Sequence, residues 1–340
     1  MFLKNPSNAA LRLRDFLSDM CKKGPGLTLH AVGDIIPARK VALKMREKGV
    51  DYPFSATAPF VSKADIVTGN LECPLSDKYE PKYTGTDFIT PSNTIEGLKM
   101  LGLTIVNLAN NHSTNYGRET FLDTLSILEK NGIEFTGAGR NYEEAHRATI
   151  VTKKGVRFGF LGYNSIKPSI DATKSSPGVA LISKDPYHPV NESHFIKVEK
   201  DIRTARKAAD VVIVWFHWGK EDEYNPSPVT KRLARLACDA GADIVLGSHP
   251  HTVQPIEFYK NKLICYSLGN FVFDQMQRAQ TREGFILRLK FQGKVLTSIE
   301  IVPYIIMDYS RPVIFDKDNG QYLVDKILQL SNIPVSQDQR

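Results

Sequence analysis

A chain of 340 residues can bury a large core, and 42% hydrophobic against 24% charged residues is the balance of a water-soluble globular protein. A net charge of +7 and a pI near 9.0 favour anionic partners, but the basic residues are scattered, with no long tract and no aromatic interleaving, which argues against nucleic acid. No run approaches the roughly 18 apolar residues of a membrane span. The first twenty positions lack the apolar segment of a signal peptide, so the expectation is a cytoplasmic protein. Cys21, Cys73, Cys238 and Cys265 form no CxxC pair and read as reduced, buried thiols.

In chain order, residues 1–20 read as an amphipathic helix, broken at Gly24-Pro25-Gly26. A strand over 27–32 ends at Gly33-Asp34 and is followed by a helix over about 38–48. A second strand, 66–68, ends at Gly69-Asn70-Leu71-Glu72. Polar, Pro-rich sequence runs to position 91, then a helix to 100, then a strand over 105–108 ending at Ala109-Asn110-Asn111-His112. A helix over 117–131 carries Phe121, Leu125 and Leu128 on one face and is closed by Gly132. Residues 148–152 and 156–163 read as a hairpin across Lys154-Gly155. Residues 164–196 are rich in Ser, Pro, Lys and Asp and read as a functional loop or a mobile lid.

A helix over about 198–209 leads into the uniformly apolar strand 211–216, which ends at His217-Trp218-Gly219. The next helix is sharply punctuated, with Ser227 as N-cap, Pro228 in the first turn, Val229, Leu233, Leu236 and Ala240 on one stripe, and Gly241 as terminator. A buried strand, 242–246, then runs through Gly247 into Ser248-His249-Pro250-His251. Residues two apart in extended or turn backbone lie on one side, so both imidazoles can face a common point. Further strands are expected at 263–267, 285–291 and 295–303, with a helix over about 320–330. Helices alternating with strands, then late hairpins, predict an α/β sandwich in one domain over 27–305, between a helical extension (1–26) and a C-terminal extension (306–340).

One pattern recurs: a buried strand followed by a polar cluster at its C-terminal end, where α/β sheets place their sites. Taken singly, each has a structural explanation. Asp34 precedes a helix it could cap, Asn110 and Asn111 are turn formers, and His217 could be a hydrogen-bonded core histidine. Together, carboxylates, amide oxygens and imidazoles make the mixed N/O donor set of a site for one or two divalent ions such as Mn, Zn or Fe. Arg39, Lys220 and Arg282 are candidate anion clamps, against which ordinary surface charge competes. Trp218 and Tyr224 could wall the pocket, against which core packing competes.

Gly33-Asp34, Gly69-Asn70-Leu71-Glu72-Cys73-Pro74-Leu75-Ser76, Asn107-Leu108-Ala109-Asn110-Asn111-His112, His217-Trp218-Gly219, Gly247-Ser248-His249-Pro250-His251 and Tyr266-Ser267-Leu268-Gly269-Asn270-Phe271 resemble, in order, the motifs of the CapA (PgsA-like) capsule and poly-γ-glutamate synthesis proteins. That family belongs to the calcineurin-like metallophosphoesterase superfamily. The resemblance covers about residues 27–305 and implies a four-layer α-β-β-α sandwich with a metal site at the strand ends. It implies Asp34 as the opening ligand, Glu72 (with Asn70 as rival) as the bridging acidic ligand, and Asn111, His217, His249 and His251 as further ligands. His112 is the implied proton donor, oriented by Asp34. Asn70, Trp218, Tyr224 and Asn270 stand as substrate contacts.

Two departures matter. The Asp-x-His pattern of the superfamily puts Ile36 where a histidine is usual, so the first metal position is short of a ligand. The acidic residue of NNHxxDxG is Asn115 here. The resemblance implies hydrolysis of an anionic, phosphoester-like substrate by a metal-activated water. It equally admits an accessory role in poly-γ-glutamate or capsule assembly, or metal-dependent epimerisation of a peptide.

Overall fold

The structure, a computed structural model, describes residues 26–86, 88–182, 191–316 and 318–333. The helix expected over 1–20 and Cys21 lie outside the described residues. In chain order the elements begin with β1 (Gly26–Ile35), α1 (Lys40–Lys48), α2 (Ala58–Val61), β2 (Ile66–Leu71), α3 (Ile95–Met100), β3 (Ile105–Asn107), α4 (Arg118–Lys130), β4 (Glu134–Thr136), β5 (Ala138–Gly139) and α5 (Tyr142–His146). They continue with β6 (Thr149–Lys153), β7 (Val156–Asn164), β8 (Gly178–Val179), α6 (Glu192–Ala208), β9 (Val211–His217), α7 (Pro228–Ala240) and β10 (Ile244–Ser248). The chain closes with β11 (Ile256–Tyr259), β12 (Lys262–Cys265), β13 (Asn270–Val272), β14 (Glu283–Gln292), β15 (Val295–Met307), β16 (Arg311–Ile314) and α8 (Gln321–Leu330).

These make a mixed α/β fold. The first sheet runs β16-β15-β14-β1-β2-β3-β4, with β13 pairing the end of β1; the second runs β11-β12-β10-β9-β7-β6. β1, β2, β3 and β4 are mutually parallel, as are β7, β9, β10 and β12, so both sheets gather several C-terminal strand ends on one edge.

Side-chain alternation assigns each strand two faces. Leu29 and Ala31 of β1, Leu287 and Leu289 of β14, Phe158 and Phe160 of β7, and Ile213 and Trp215 of β9 share one buried cluster that joins the sheets. Trp215 Nε1 donates to Thr68 Oγ1 of β2 across it, at 3.2 Å. The alternate residues of the second sheet, Val212, Val214, Phe216 and Val245, pack against Val198 and Ile202 of α6 and Leu233 and Ala237 of α7. The other face of the first sheet, with Val67 and Val106, packs on Val41 of α1 and on Phe121, Leu125 and Leu128 of α4. The punctuation of α7 is as the sequence predicts: the Ser227 side chain accepts from Thr230 N, Pro228 opens the helix, and Gly241 takes φ 122°.

The differences have local causes. β4, β5, β8 and β16 are too short for alternation to register. α6 starts at Glu192, ahead of the expected 198, because Asn191 caps it and the His194 side chain returns to the Asn191 backbone. The region 164–196, expected to be a loop, contains β8, and Ala180 N donates to Gly137 O; positions 183–190 are outside the described residues. Beyond 305, β15 continues to Met307 and pairs with β16. Leu323 and Ile327 of α8 enter the inter-sheet cluster, each burial contributing about 2 kcal/mol. Cys73, Cys238 and Cys265 are buried free thiols, as expected. Among the described residues no helix is long and apolar enough to cross a membrane.

Candidate metal centre

Strand register places the polar residues in rows. Across the first sheet Asn270 of β13, Asp34 of β1, Asn70 of β2 and Asn107 of β3 are successive partners. Across the second, Asn164 of β7, His217 of β9 and Ser248 of β10 are partners. Two glycines allow the close approaches this needs. A Cβ on Gly33 would lie 1.8 Å from Gly269 O, and one on Gly247 would lie 1.9 Å from Tyr266 O.

Asp34, Glu72, His217, His249 and His251 converge where the two rows meet, all buried. Ligand atoms of Glu72, His217 and His249 lie within 4.8 Å of one another, as do those of Asp34, Glu72 and His251, so Glu72 belongs to both groups. Asn111 joins them, its Oδ1 lying 2.7 Å from His217 Nε2. His217 Nδ1 lies 3.0 Å from Ser248 Oγ, and His251 Nδ1 lies 2.8 Å from Asn270 Oδ1 and 3.3 Å from Asp34 Oδ2. His249 and His251 take φ of 95° and 58°, a left-handed region that costs a side-chain-bearing residue about 1 kcal/mol or more and persists where surrounding contacts impose it.

Amides hold the carboxylates in place. Asn70 Nδ2 donates to Asp34 Oδ1 at 2.8 Å and Glu72 Oε2 at 3.2 Å, while Asn70 Oδ1 accepts from Asn107 Nδ2 at 2.8 Å and Asn110 Nδ2 at 3.1 Å. Asn70 is therefore a fully buried hub, and not the substrate contact expected of it. Asn107, at the end of its strand, and Asn110, which the sequence offers as a turn former, complete that hub.

Two donor atoms are left over. Glu72 Oε1 and His249 Nδ1 are buried without a hydrogen bond, Glu72 Oε1 having only the His217 Nε2 atom 3.3 Å away, and a buried polar atom left so costs about 1–3 kcal/mol unless something binds there. Burial, and then the Asp34 charge, push the Glu72 carboxyl well up. Burial lowers His217 to about 3, and burial with the neighbouring imidazoles drives His249 well down. For His251 burial pulls downward, but the Asp34 hydrogen bond and the Glu72 and Asp34 charges raise it to about 9. The neutral imidazoles of His217 and His249 beside a destabilised Glu72 carboxylate fit a divalent cation, which would take the place of the proton His251 holds between Asp34 and Glu72.

His112 sits beside the cluster, and its orientation corrects an expectation. Its Nδ1 lies 2.9 Å from Asn115 Oδ1, and no hydrogen bond joins it to Asp34. Asn115 Oδ1 also accepts from Phe88 N at 3.0 Å, which identifies that atom as the oxygen, so His112 Nδ1 is the donor and Nε2 the free position. Asn115 thus keeps the orienting hydrogen bond and gives up only the charge of the usual acid. Phe88 stacks on the His112 ring at 4.1 Å, and burial lowers His112 to about 4.

The remaining expected contacts lie elsewhere. Trp218 is a core residue, stacked on Phe216 at 4.6 Å and donating to Tyr266 O, and it forms no pocket wall. Tyr224 Oη bonds Gln280 and Lys326. Asn270 is buried and acts on His251. Among the candidate clamps, Arg39 pairs with Asp274, Lys220 with Glu223, and Arg282 Nε donates to Ile306 O. Ile36 is fully buried in the core and supplies no ligand. Glu221 was not singled out in the sequence: its carboxylate lies within 4.8 Å of ligand atoms of His249 and His251.

Fold and site define an α/β protein with a buried carboxylate–imidazole–amide donor cluster at the C-terminal ends of parallel strands. Residues 28–275 match the family model described as "Bacterial capsule synthesis protein PGA_cap", and the chain belongs to that family. It is 34% identical over 294 residues to "Capsule biosynthesis protein CapA" of Bacillus anthracis, covering 84% of this chain and 69% of the relative. It is 34% identical over 313 residues to "PGA biosynthesis protein CapA" of Bacillus subtilis (strain 168), covering 90% and 79%. A solved structure of a hypothetical protein from Thermus thermophilus shares the fold at a TM-score of 0.50 and 16% identity, over 84% of this chain and 100% of that one.

Proposed function

We propose that this chain is a metal-dependent hydrolase acting on an anionic, phosphoester-like substrate. The observation that carries the reading is the pair of buried donors without a hydrogen bond, Glu72 Oε1 and His249 Nδ1, grouped with ligand atoms of Asp34, His217 and His251, with Asn111 against His217. Glu72, His217 and His249 would hold one divalent ion, with Asn111 beside them; Asp34, Glu72 and His251 would hold the same or a second ion. Mn, Zn or Fe suits this donor set. Such an ion, when bound, supplies a Lewis acid and lowers the pKa of a bound water towards 7. The protein's own part is positioning. Asn70 fixes both carboxylates, Asn270 and Asp34 fix His251, and Asn115 turns His112 so that Nε2 exchanges a proton with the reacting oxygen. Three cores separating two sheets and two helical layers support the four-layer α-β-β-α reading.

The relatives' names favour a second reading, an accessory role in capsule or polyglutamate assembly in which the site binds an anionic polymer without cleaving it. The two part experimentally. Hydrolysis of a chromogenic phosphoester by protein loaded with Mn, Zn or Fe, lost on His112→Gln, supports the hydrolase. Polyglutamate binding with no turnover under any of these metals overturns it in favour of the accessory role.

A further inference from the structure

We infer that Glu221 is an additional metal ligand, closing the site from the solvent side and making up for the ligand that Ile36 does not supply. The inference rests on the metal reading above. Glu221 is exposed, and an exposed glutamate in the acidic run Glu221-Asp222-Glu223 is ordinarily surface charge. Its loop is not ordinary. Trp218 N donates to Ser248 O at 3.1 Å and Asp222 N to Pro250 O at 2.9 Å, so the backbone is fastened to the histidine turn on both sides of Glu221. Glu223 O accepts from Thr252 Oγ1 at 3.2 Å and from Gln254 Nε2 at 2.7 Å. Gly219 and Asp222 take φ of 86° and 63°, bending the loop back over the turn. Hydrogen bonds on either side thus hold Glu221 above His249 and His251.

Charge pairing separates Glu221 from its neighbours. Asp222 pairs with Arg278 and Glu223 with Lys220, whereas Glu221 has no ion pair among the described residues. What it faces is His249 and His251, and the Nδ1 of His249 is buried and unpartnered. His251 belongs both to the Asp34–Glu72–His251 group and to the Glu221–His249–His251 group, so its ring lies between Glu221 and the buried carboxylates. Ile36 lies fully buried and cannot turn to the site. As the exposed member of this group, Glu221 is also the ligand an incoming anionic substrate meets first.

The test is calorimetric titration of the chelator-treated 340-residue chain with Mn²⁺ and with Zn²⁺, comparing wild type, Glu221→Gln and Glu223→Gln. Glu221→Gln keeps the size and removes the charge at an exposed position, and circular dichroism confirms that it folds. Metal affinity at one class of site falls at least about tenfold in Glu221→Gln, while Glu223→Gln titrates as wild type. Equal affinity and stoichiometry in wild type and Glu221→Gln overturns the inference and leaves the Asp34, Glu72, His217, His249 and His251 site standing. A wild type that takes up neither ion overturns the inference together with the reading beneath it. An equal loss in Glu223→Gln assigns the effect to general loop charge and overturns it as well.

Discussion

Removing the amide of Asn70 tests whether positioning, and not donor identity alone, makes the site. Asn70→Ala takes away the donors to Asp34 Oδ1 at 2.8 Å and Glu72 Oε2 at 3.2 Å. A hydrogen bond to a charged group contributes about 1.5–3 kcal/mol and one to a neutral group about 1 kcal/mol, so losing both costs on the order of 3 kcal/mol. The partners on the other side are partly protected. Asn107 Nδ2 keeps Ala109 O at 3.2 Å and Asn110 Nδ2 keeps Leu71 O at 2.8 Å, so neither becomes a full orphan. The expected outcome is a stability loss of about 3 kcal/mol in urea, with metal affinity lowered by about 10- to 100-fold, as for groups that orient metal ligands. Denaturation of the metal-free protein and calorimetric metal titration read the two quantities separately. Unchanged metal affinity in a folded Asn70→Ala protein would refute the argument, because the carboxylates would then hold their places without the hub.

His112→Gln should leave metal content at the wild-type level and lower kcat on a phosphoester by about 10²- to 10⁴-fold, the range of a positioned acid or base; an unchanged kcat removes His112 from the chemistry. His30 provides a pH prediction away from the site. Burial lowers it to about 4 from 6.5 while its Nδ1 stays 3.0 Å from Val61 O. The folded state therefore excludes a proton that the unfolded state binds. Its contribution is fully present above about pH 7 and is lost as pH falls from 6.5 towards 4, in all about 3 kcal/mol. His30→Gln should flatten the fall in stability across that window by up to about 1.4 kcal/mol per pH unit, and superimposable profiles would contradict this.

The legible part of the fold is the part written in local rules. The apolar run ending at Gly247 and the Ser227, Pro228 and Gly241 punctuation of α7 specify strand and helix without reference to the rest of the chain. Asp34, Glu72, Asn111, His217, His249 and His251 were legible because each follows a recognisable strand, and the structure brings them together. The hub of Asn70, Asn107 and Asn110 is not legible in the sequence because it depends on cross-strand register between β1, β2 and β3, which no local pattern encodes. Trp218 next to His217 looked like a pocket wall, but alternation along the chain turns it into the helical side of the second sheet. Asn115 looked like a loss because its charge is missing; the hydrogen bond to His112 needs only an oxygen, which the amide supplies. Glu221 was illegible because an exposed acid among acids carries no signal until the bonds from Pro250, Thr252 and Gln254 to its loop are seen.

The central claim is that Glu72, His217, His249 and His251 with Asp34 bind divalent metal. It is tested most directly by elemental analysis of protein purified without chelator, comparing wild type with the His249→Ala, His251→Ala double variant. The account predicts about one to two Mn, Zn or Fe per wild-type chain, and their loss in a variant that still folds. A wild type free of metal even after incubation with Mn²⁺ or Zn²⁺, or a double variant that retains its metal, would contradict it.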